Sequence, residues 1–242
     1  MSTILLIHAF PLDASMWEPQ IAAIGREADI IAPHLPGFGG TAPFGEVLTM
    51  DAAADHSAAE LDRAGEDRAV VCGLSMGGYA AFSFWRRHRD RVAGLLLANT
   101  KAEPDDEAGR ERRRAVAEKA RAYGSEAIAA DPPPLLAADA DDSMWERVRA
   151  TIRRQSGEGI AAASLGMAER PDSRPILTEI DVPTTVVASD GDQLIPADVT
   201  AAIADGIAQS ELVRLEGAGH LSNLEHTEGF NLALRDLLTR VG

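Results

Sequence analysis

The chain of 242 residues contains one cysteine, Cys72. A single thiol allows no intrachain disulfide and marks no oxidising compartment. Basic residues are also scarce: 23 Lys and Arg stand against 38 Asp and Glu, a formal net charge of −15 at pH 7. Nucleic acids and anionic membrane surfaces require a basic footprint, so neither is expected as a partner. No apolar run approaches the ~20 residues of a membrane span. Cys-x-x-Cys and His-Glu-x-x-His spacings are missing, so no metal is expected, and no pattern calls for an organic cofactor. Met1-Ser2-Thr3 runs directly into Ile4-Leu5-Leu6-Ile7 without a basic segment or cleavage site. The expectation is a cytoplasmic protein without a leader.

What the chain does have is an ordinary globular balance, 45% hydrophobic and 25% charged, and enough length for a sizeable core. Short apolar runs recur at Ile4–Ile7, Asp29–Ala32, Ala69–Cys72, Leu95–Ala98 and Thr185–Ala188. They are apolar at nearly every position, as strands covered on both faces are. Glu211–Leu215 alternates in part, which suits an edge strand with one wetter face. Helical periods lie between them. Met50, Ala53, Ala54, Ala58 and Leu61 share a face of a helix starting near Thr49, and Phe230, Ala233, Leu234, Leu237, Leu238 and Val241 share another. Ser222-x-x-Glu225 reads as the capping box of that last helix. Strands alternating with helices define an α/β fold with a mostly parallel sheet.

From Lys101 to Arg174 the rhythm breaks into polar helical sequence cut by Pro132-Pro133-Pro134. Asp105, Asp106 and Glu107 precede Arg110, Arg112, Arg113 and Arg114, the charge order a helix dipole favours. Ser143-x-x-Glu146 reads as a second capping box, with Trp145, Val148 and Ile152 on one face. Residues 101–174 are therefore expected to form a helical insertion into a core made of 1–100 and 175–242, with the arginine run as a solvated helix face and an anion-binding patch as the alternative.

The most specific chemistry lies in Val70-Val71-Cys72-Gly73-Leu74-Ser75-Met76-Gly77-Gly78. A buried strand enters Gly-x-Ser-x-Gly and a helix leaves it. Such a turn projects a serine Oγ above the sheet and is tight enough to require small residues at Gly73 and Gly77. The helix N-terminus adds positive charge where an oxyanion would form. A serine nucleophile needs a base, and the base needs an orienting acid. Of the histidines at 8, 34, 56, 88, 220 and 226, His220 follows the last strand in a loop, where crevices of open α/β sheets lie. His56 and His88 fall in helical stretches, His226 within the final helix, and His8 ends the first strand, where a structural role is the favoured reading and contact with the site the alternative. Two aspartates, Asp190 and Asp192, follow the Thr185 strand, and spacing alone does not choose between them.

Taken together these segments resemble the α/β-hydrolase superfamily, in particular its small esterases, enol-lactone hydrolases and cofactor-free perhydrolases. The resemblance is carried by Ile7-His8-Ala9-Phe10-Pro11, His34-Leu35-Pro36-Gly37-Phe38-Gly39, Gly73-Leu-Ser75-Met-Gly77-Gly78, Asp192-x-x-x-Pro196 and Gly219-His220-x-x-x-x-Glu225. It implies Ser75 as nucleophile, His220 as base and, four residues before a proline, Asp192 as the acid. It implies the backbone N–H groups of Phe10 and Met76 as oxyanion donors and residues 101–174 as a cap over the pocket. Ser75 at the elbow excludes the aspartate nucleophile of dehalogenases. Because the chain opens at what is the family's third strand, about six strands are expected in place of eight. The implied activity is hydrolysis of a small carboxylic ester through an acyl-enzyme. A lactone, a C–C bond beside a ketone, perhydrolysis, or a ligand receptor on the same scaffold stand as alternatives. Trp17, Phe38 and Trp145 are the expected pocket aromatics, and the partner is a small-molecule ester or lactone.

Overall fold

The computed structural model describes residues 2–242. The chain runs β1 (Thr3–Ile7), α1 (Glu18–Ile24), β2 (Asp29–Ile31), α2 (Met50–Ala64), β3 (Ala69–Leu74), α3 (Met76–His88) and β4 (Val92–Ala98). It continues through α4 (Glu107–Ala130), α5 (Asp142–Arg153), α6 (Gly157–Ala168), β5 (Thr184–Ser189), α7 (Ala197–Gly206), β6 (Ser210–Leu215), α8 (Ser222–Glu225) and α9 (Thr227–Val241). The strands form one six-stranded sheet in the order β2-β1-β3-β4-β5-β6. Every pairing is parallel.

The apolar runs become strands because helices cover both faces of the sheet and leave no wet side. All residues of β1, β3 and β5 are buried, whereas the edge strands β2 and β6 are largely open. Glu211–Leu215 alternates as an edge strand does, whereas Asp29–Ala32, expected from its apolar run to be covered on both faces, is the other open edge, because no strand pairs beyond β2. On the helical side, α2 starts where the sequence placed it: Thr49 accepts a hydrogen bond from the Ala52 N–H. The buried face of α9 is Phe230, Ala233, Leu234 and Leu237.

Strand order also locates a crevice. The chain steps from β1 outward to β2, then crosses back over β1 to β3 and proceeds outward through β4, β5 and β6. The winding reverses between β1 and β3, and loops leaving their carboxyl ends diverge there, which is where open α/β sheets bind ligands. Phe10 follows β1 and Ser75 follows β3 at this point.

Three helices, α4, α5 and α6, occupy the segment between β4 and β5. Helix α4 bends at Gly124, whose φ is +73°. Helix α6 is not a loose appendage: Ile160–Ala163 and Met167 are buried. Its Gly159 lies so close to Gly37 of the core that a Cβ on Gly37 would sit 2.5 Å from the Gly159 Cα. The Leu48 N–H donates to the Ala162 carbonyl at 3.0 Å, and the Gln155 amide bridges the Gly39 N–H (2.8 Å) and Asp13 (2.7 Å). No helix among the described residues is long and apolar enough to cross a membrane.

Local details depart from the sequence reading. Helix α5 is capped by Asp141, which accepts from the Met144 N–H, so Ser143 stands inside the first turn. The Ser222–Glu225 box does not form. Glu225 turns away to accept from the N–H groups of Ala137 (2.7 Å) and Gly219 (3.0 Å), and α8 closes after one turn. His226 then separates α8 from α9 instead of lying inside a helix. In both places a tertiary or earlier partner outcompetes the local reciprocal bond.

Candidate active site

Ser75 sits between β3 and α3 with φ +57° and ψ −113°, a conformation an L-residue rarely adopts. The turn is held on both sides. The Ser75 N–H donates to the Ala98 carbonyl (2.9 Å), and the Ser75 carbonyl accepts from the Gly78 N–H (2.9 Å) and the Thr100 hydroxyl (2.9 Å). The flanking glycines are dictated by contact: a Cβ on Gly73 would lie 2.1 Å from the Gly77 carbonyl oxygen, and one on Gly77 2.0 Å from the Ile7 carbonyl oxygen. No side chain fits at either position. The Met76 N–H belongs to the first turn of α3, where helix geometry leaves donors without intrahelical partners.

His220, in the loop after β6, places Nδ1 2.7 Å from Asp192 Oδ2, and both side chains are almost wholly buried. Of the two aspartates left open by spacing, Asp192 is the one that meets His220. Asp192 Oδ1 accepts from the N–H groups of Leu194 (2.8 Å) and Ile195 (3.0 Å), and Oδ2 accepts from the Asn99 amide (3.0 Å) as well as facing His220. Burial opposes its charge, yet His220, the Ile195 N–H and the Asn99 amide together hold its carboxyl below the usual carboxylate range. Asp190 is exposed and accepts from the Gly217 N–H at 2.7 Å. Its side chain fixes a turn. With Nδ1–H directed at a carboxylate, Nε2 is the imidazole nitrogen left without its proton.

A cavity of about 550 Å³ opens onto Ser75 and His220. Phe10 and Tyr79 border it, as do Leu194 and Ile195, while the inserted segment supplies Ile128, Pro132–Pro134, Leu135 and Met167. The aromatics expected there lie elsewhere. Trp17 is fully buried against Phe230, with ring centroids 5.8 Å apart, and Phe38 packs edge-on to His8 at 5.2 Å. Trp145 lies on α5 with Arg149 over its ring. None of the three lines the cavity; each satisfies the core or the outer insertion, because apolar character alone does not tell a pocket wall from a core.

The arginine run also divides. Arg110 and Arg114 pair with Glu107 on the outside, as a solvated face would, but Arg112 and Arg113 line the cavity with Lys101 and Lys119. Asp105, only 6% exposed, holds Lys101 (3.1 Å), Arg113 (3.2 Å) and the buried Arg170 (2.8 Å), whose guanidinium lies 4.1 Å over the Tyr79 ring.

His8 is structural. Its Nδ1–H donates to the Ala9 carbonyl (3.0 Å) and its Nε2 accepts from the Leu35 N–H (3.1 Å), which fixes the neutral tautomer. Burial lowers its pKa to about 4. His56 and His88 are half-buried and engaged, with the His34 carbonyl and Asp55 respectively. Cys72 is buried, and burial pushes its thiol up. No group of three or more His, Cys, Asp or Glu is placed to hold a metal among the described residues.

The residue that sequence reasoning missed is Asn99. It follows β4 with φ +45°, an uncommon setting for a non-glycine residue. Its amide donates to Asp192, and its carbonyl oxygen accepts from the Ser222 hydroxyl at 2.6 Å. It thereby links the acid loop to the turn that follows His220. The available signal was an Asn at a strand's carboxyl end beside the elbow strand. Glu225 was seen, but as a cap; it ties the Gly219 turn to Ala137 of the insertion, and burial pushes its carboxyl up against the pull of those two N–H groups.

A parallel sheet with a strained serine elbow and a buried His–Asp pair at its carboxyl edge is the architecture of a hydrolase. Residues 2–227 match the family model for the alpha/beta hydrolase fold, and the chain belongs to that family. It is similar to a thermophilic esterase from Thermogutta terrifontis, solved with malate bound, at 40% identity and TM-score 0.95, covering all of this chain (100%) and 90% of that one. The enol-lactonase from Burkholderia xenovorans LB400 is 29% identical with TM-score 0.89, over 98% of this chain and 91% of that one. A pimeloyl-[acyl-carrier protein] methyl ester esterase of Neisseria meningitidis is 28% identical over 98% of this chain and 94% of its own length.

Proposed function

We propose that the protein hydrolyses a small carboxylic ester with Ser75 as nucleophile, His220 as general base and acid, and Asp192 as the group that orients His220. The observation that carries this reading is His220, 2.7 Å from Asp192, lining the same cavity as a serine held at positive φ. Ser75 Oγ attacks the ester carbonyl carbon while its proton passes to His220 Nε2. Asp192 stabilises the imidazolium that results. The oxyanion is received by the N–H groups of Phe10 and Met76, the first beside the cavity and the second at the start of α3. Collapse of the tetrahedral intermediate breaks the C–O bond, and the alkoxide leaves with the proton from His220. Water, deprotonated by the same nitrogen, then attacks the acyl-Ser75 ester, and the C–Oγ bond breaks as His220 returns the proton to Ser75 Oγ, releasing the acid. Residues 101–174 act as the cap: Ile128, Leu135 and Met167 wall the acyl site against solvent, and strengthen the electrostatics within it. The likeness to an enol-lactonase supports a second substrate form, a lactone, in which acid and alcohol stay joined after the same steps.

A panel of p-nitrophenyl esters and small lactones, run on wild type and Ser75→Ala, tests the reading. Turnover of some members by wild type and none by the variant is expected. Equal turnover by the two proteins would overturn the assignment of Ser75.

A further inference from the structure

The cavity carries a charge that hydrolysis of a neutral ester would not use. On a chain of net −15, its wall from β4 onward presents Lys101, Arg112, Arg113 and Lys119. Lys119 is matched by Asp131 at 3.4 Å. Lys101 and Arg113 share the carboxylate of Asp105, which also holds Arg170, so three cations face one anion. Arg112 adds to the surplus. Its neighbours Arg110, Arg113 and Arg114 all find carboxylates, whereas the exposed Arg112 side chain has no ion pair or hydrogen bond with any of the described residues. Ile128, Leu135 and Met167 make much of the remaining wall apolar, and cations lining such a cleft focus their field on whatever enters.

We propose that the cavity takes esters whose far end is anionic, a carboxylate or a phosphate, bound by Arg112 with Lys101 and Arg113 behind it. A guanidinium fork matches both anions in bidentate fashion. Lys101 and Arg113 are tethered to Asp105, which is itself buried and anchored by Arg170. This selectivity rests on the hydrolase reading above, and the test separates the two.

The measurement is kcat/KM for monomethyl glutarate and monomethyl adipate against their neutral dimethyl esters, and for methyl 4-phosphonooxybutyrate against methyl 4-hydroxybutyrate. Wild type is expected to favour at least one anionic ester by about tenfold at low salt, the size of one charge-assisted contact. Whichever series shows the preference names the anion. The ratio is expected to shrink at ~0.5 M salt and to fall close to one in Arg112→Gln, through KM and not kcat. Equal or better use of every neutral ester by wild type, or an unchanged ratio in Arg112→Gln, would overturn the proposal. If no ester is turned over, the hydrolase reading fails while the anion site is still measured by titration calorimetry of the same compounds on Ser75→Ala. Tighter binding of an anionic ester, weakened about tenfold by adding Arg112→Gln, supports the site; indifference to charge overturns it.

Discussion

Asn99 donates its side-chain amide to the same Asp192 oxygen that faces His220 Nδ1, at 3.0 Å and 2.7 Å respectively. One carboxylate oxygen thus serves both partners, and the Asn99 carbonyl anchors the Ser222 hydroxyl beyond His220. Replacing Asn99 by Ala removes a buried hydrogen bond to a charged group, worth about 1.5–3 kcal/mol. We expect kcat to fall about ten- to a hundredfold with KM little changed. An unaltered kcat in a folded variant would show that the contact does not position the acid.

The two aspartates after β5 are expected to separate sharply. Asp192→Asn should lower kcat by about 10⁴, the loss seen when a triad acid becomes an amide, whereas Asp190→Asn should leave it within about twofold. Steady-state kinetics on the two variants decide the matter. If Asp190→Asn were the inactive one, the assignment drawn from the His220 contact would be wrong.

His8 should add no pH dependence to the rate between about pH 5 and 8, because burial lowers its pKa to about 4 and keeps it neutral there. A His8→Gln variant that folds should keep the wild-type pH profile of kcat/KM. A changed profile would give His8 a part in the chemistry.

Stability has a separate pH dependence, centred on Asp105. Burial works against its charge, but Arg170 first, then Arg113 and Lys101, hold its carboxyl far below the ordinary value of 3.8. A depressed carboxylate contributes stability that is present above its unfolded pKa and lost as pH falls towards the folded one. Asp105→Asn should therefore cost about 3–5 kcal/mol near neutrality, where it strands a buried Arg170, and progressively less below about pH 4. Denaturant titrations of both proteins at pH 7 and pH 3.5 measure this; a constant difference would refute it.

Gly77→Ala places a Cβ 2.0 Å from the Ile7 carbonyl oxygen, a contact that only backbone displacement relieves. Loss of activity is expected with loss of more than about 3 kcal/mol of stability. Activity close to wild type would show that the elbow can relax.

Much of this was written in the linear chain. Fully apolar runs announced strands covered on both faces, and Gly73 and Gly77 around Ser75 announced a turn whose contacts tolerate no side chain. These properties are local: periodicity, residue size and backbone conformation act over a few neighbours. Other features needed the folded chain. Asp192 parted from Asp190 only when the β5 and β6 loops met. Asn99 gained its place because β4 ends beside both. The capping box at Ser222 gave way because Glu225 found Ala137, 88 positions away. Trp17 and Phe38 went to the core and Arg112 to the cavity, since hydrophobicity and charge set what a residue needs, while only packing sets which neighbour supplies it.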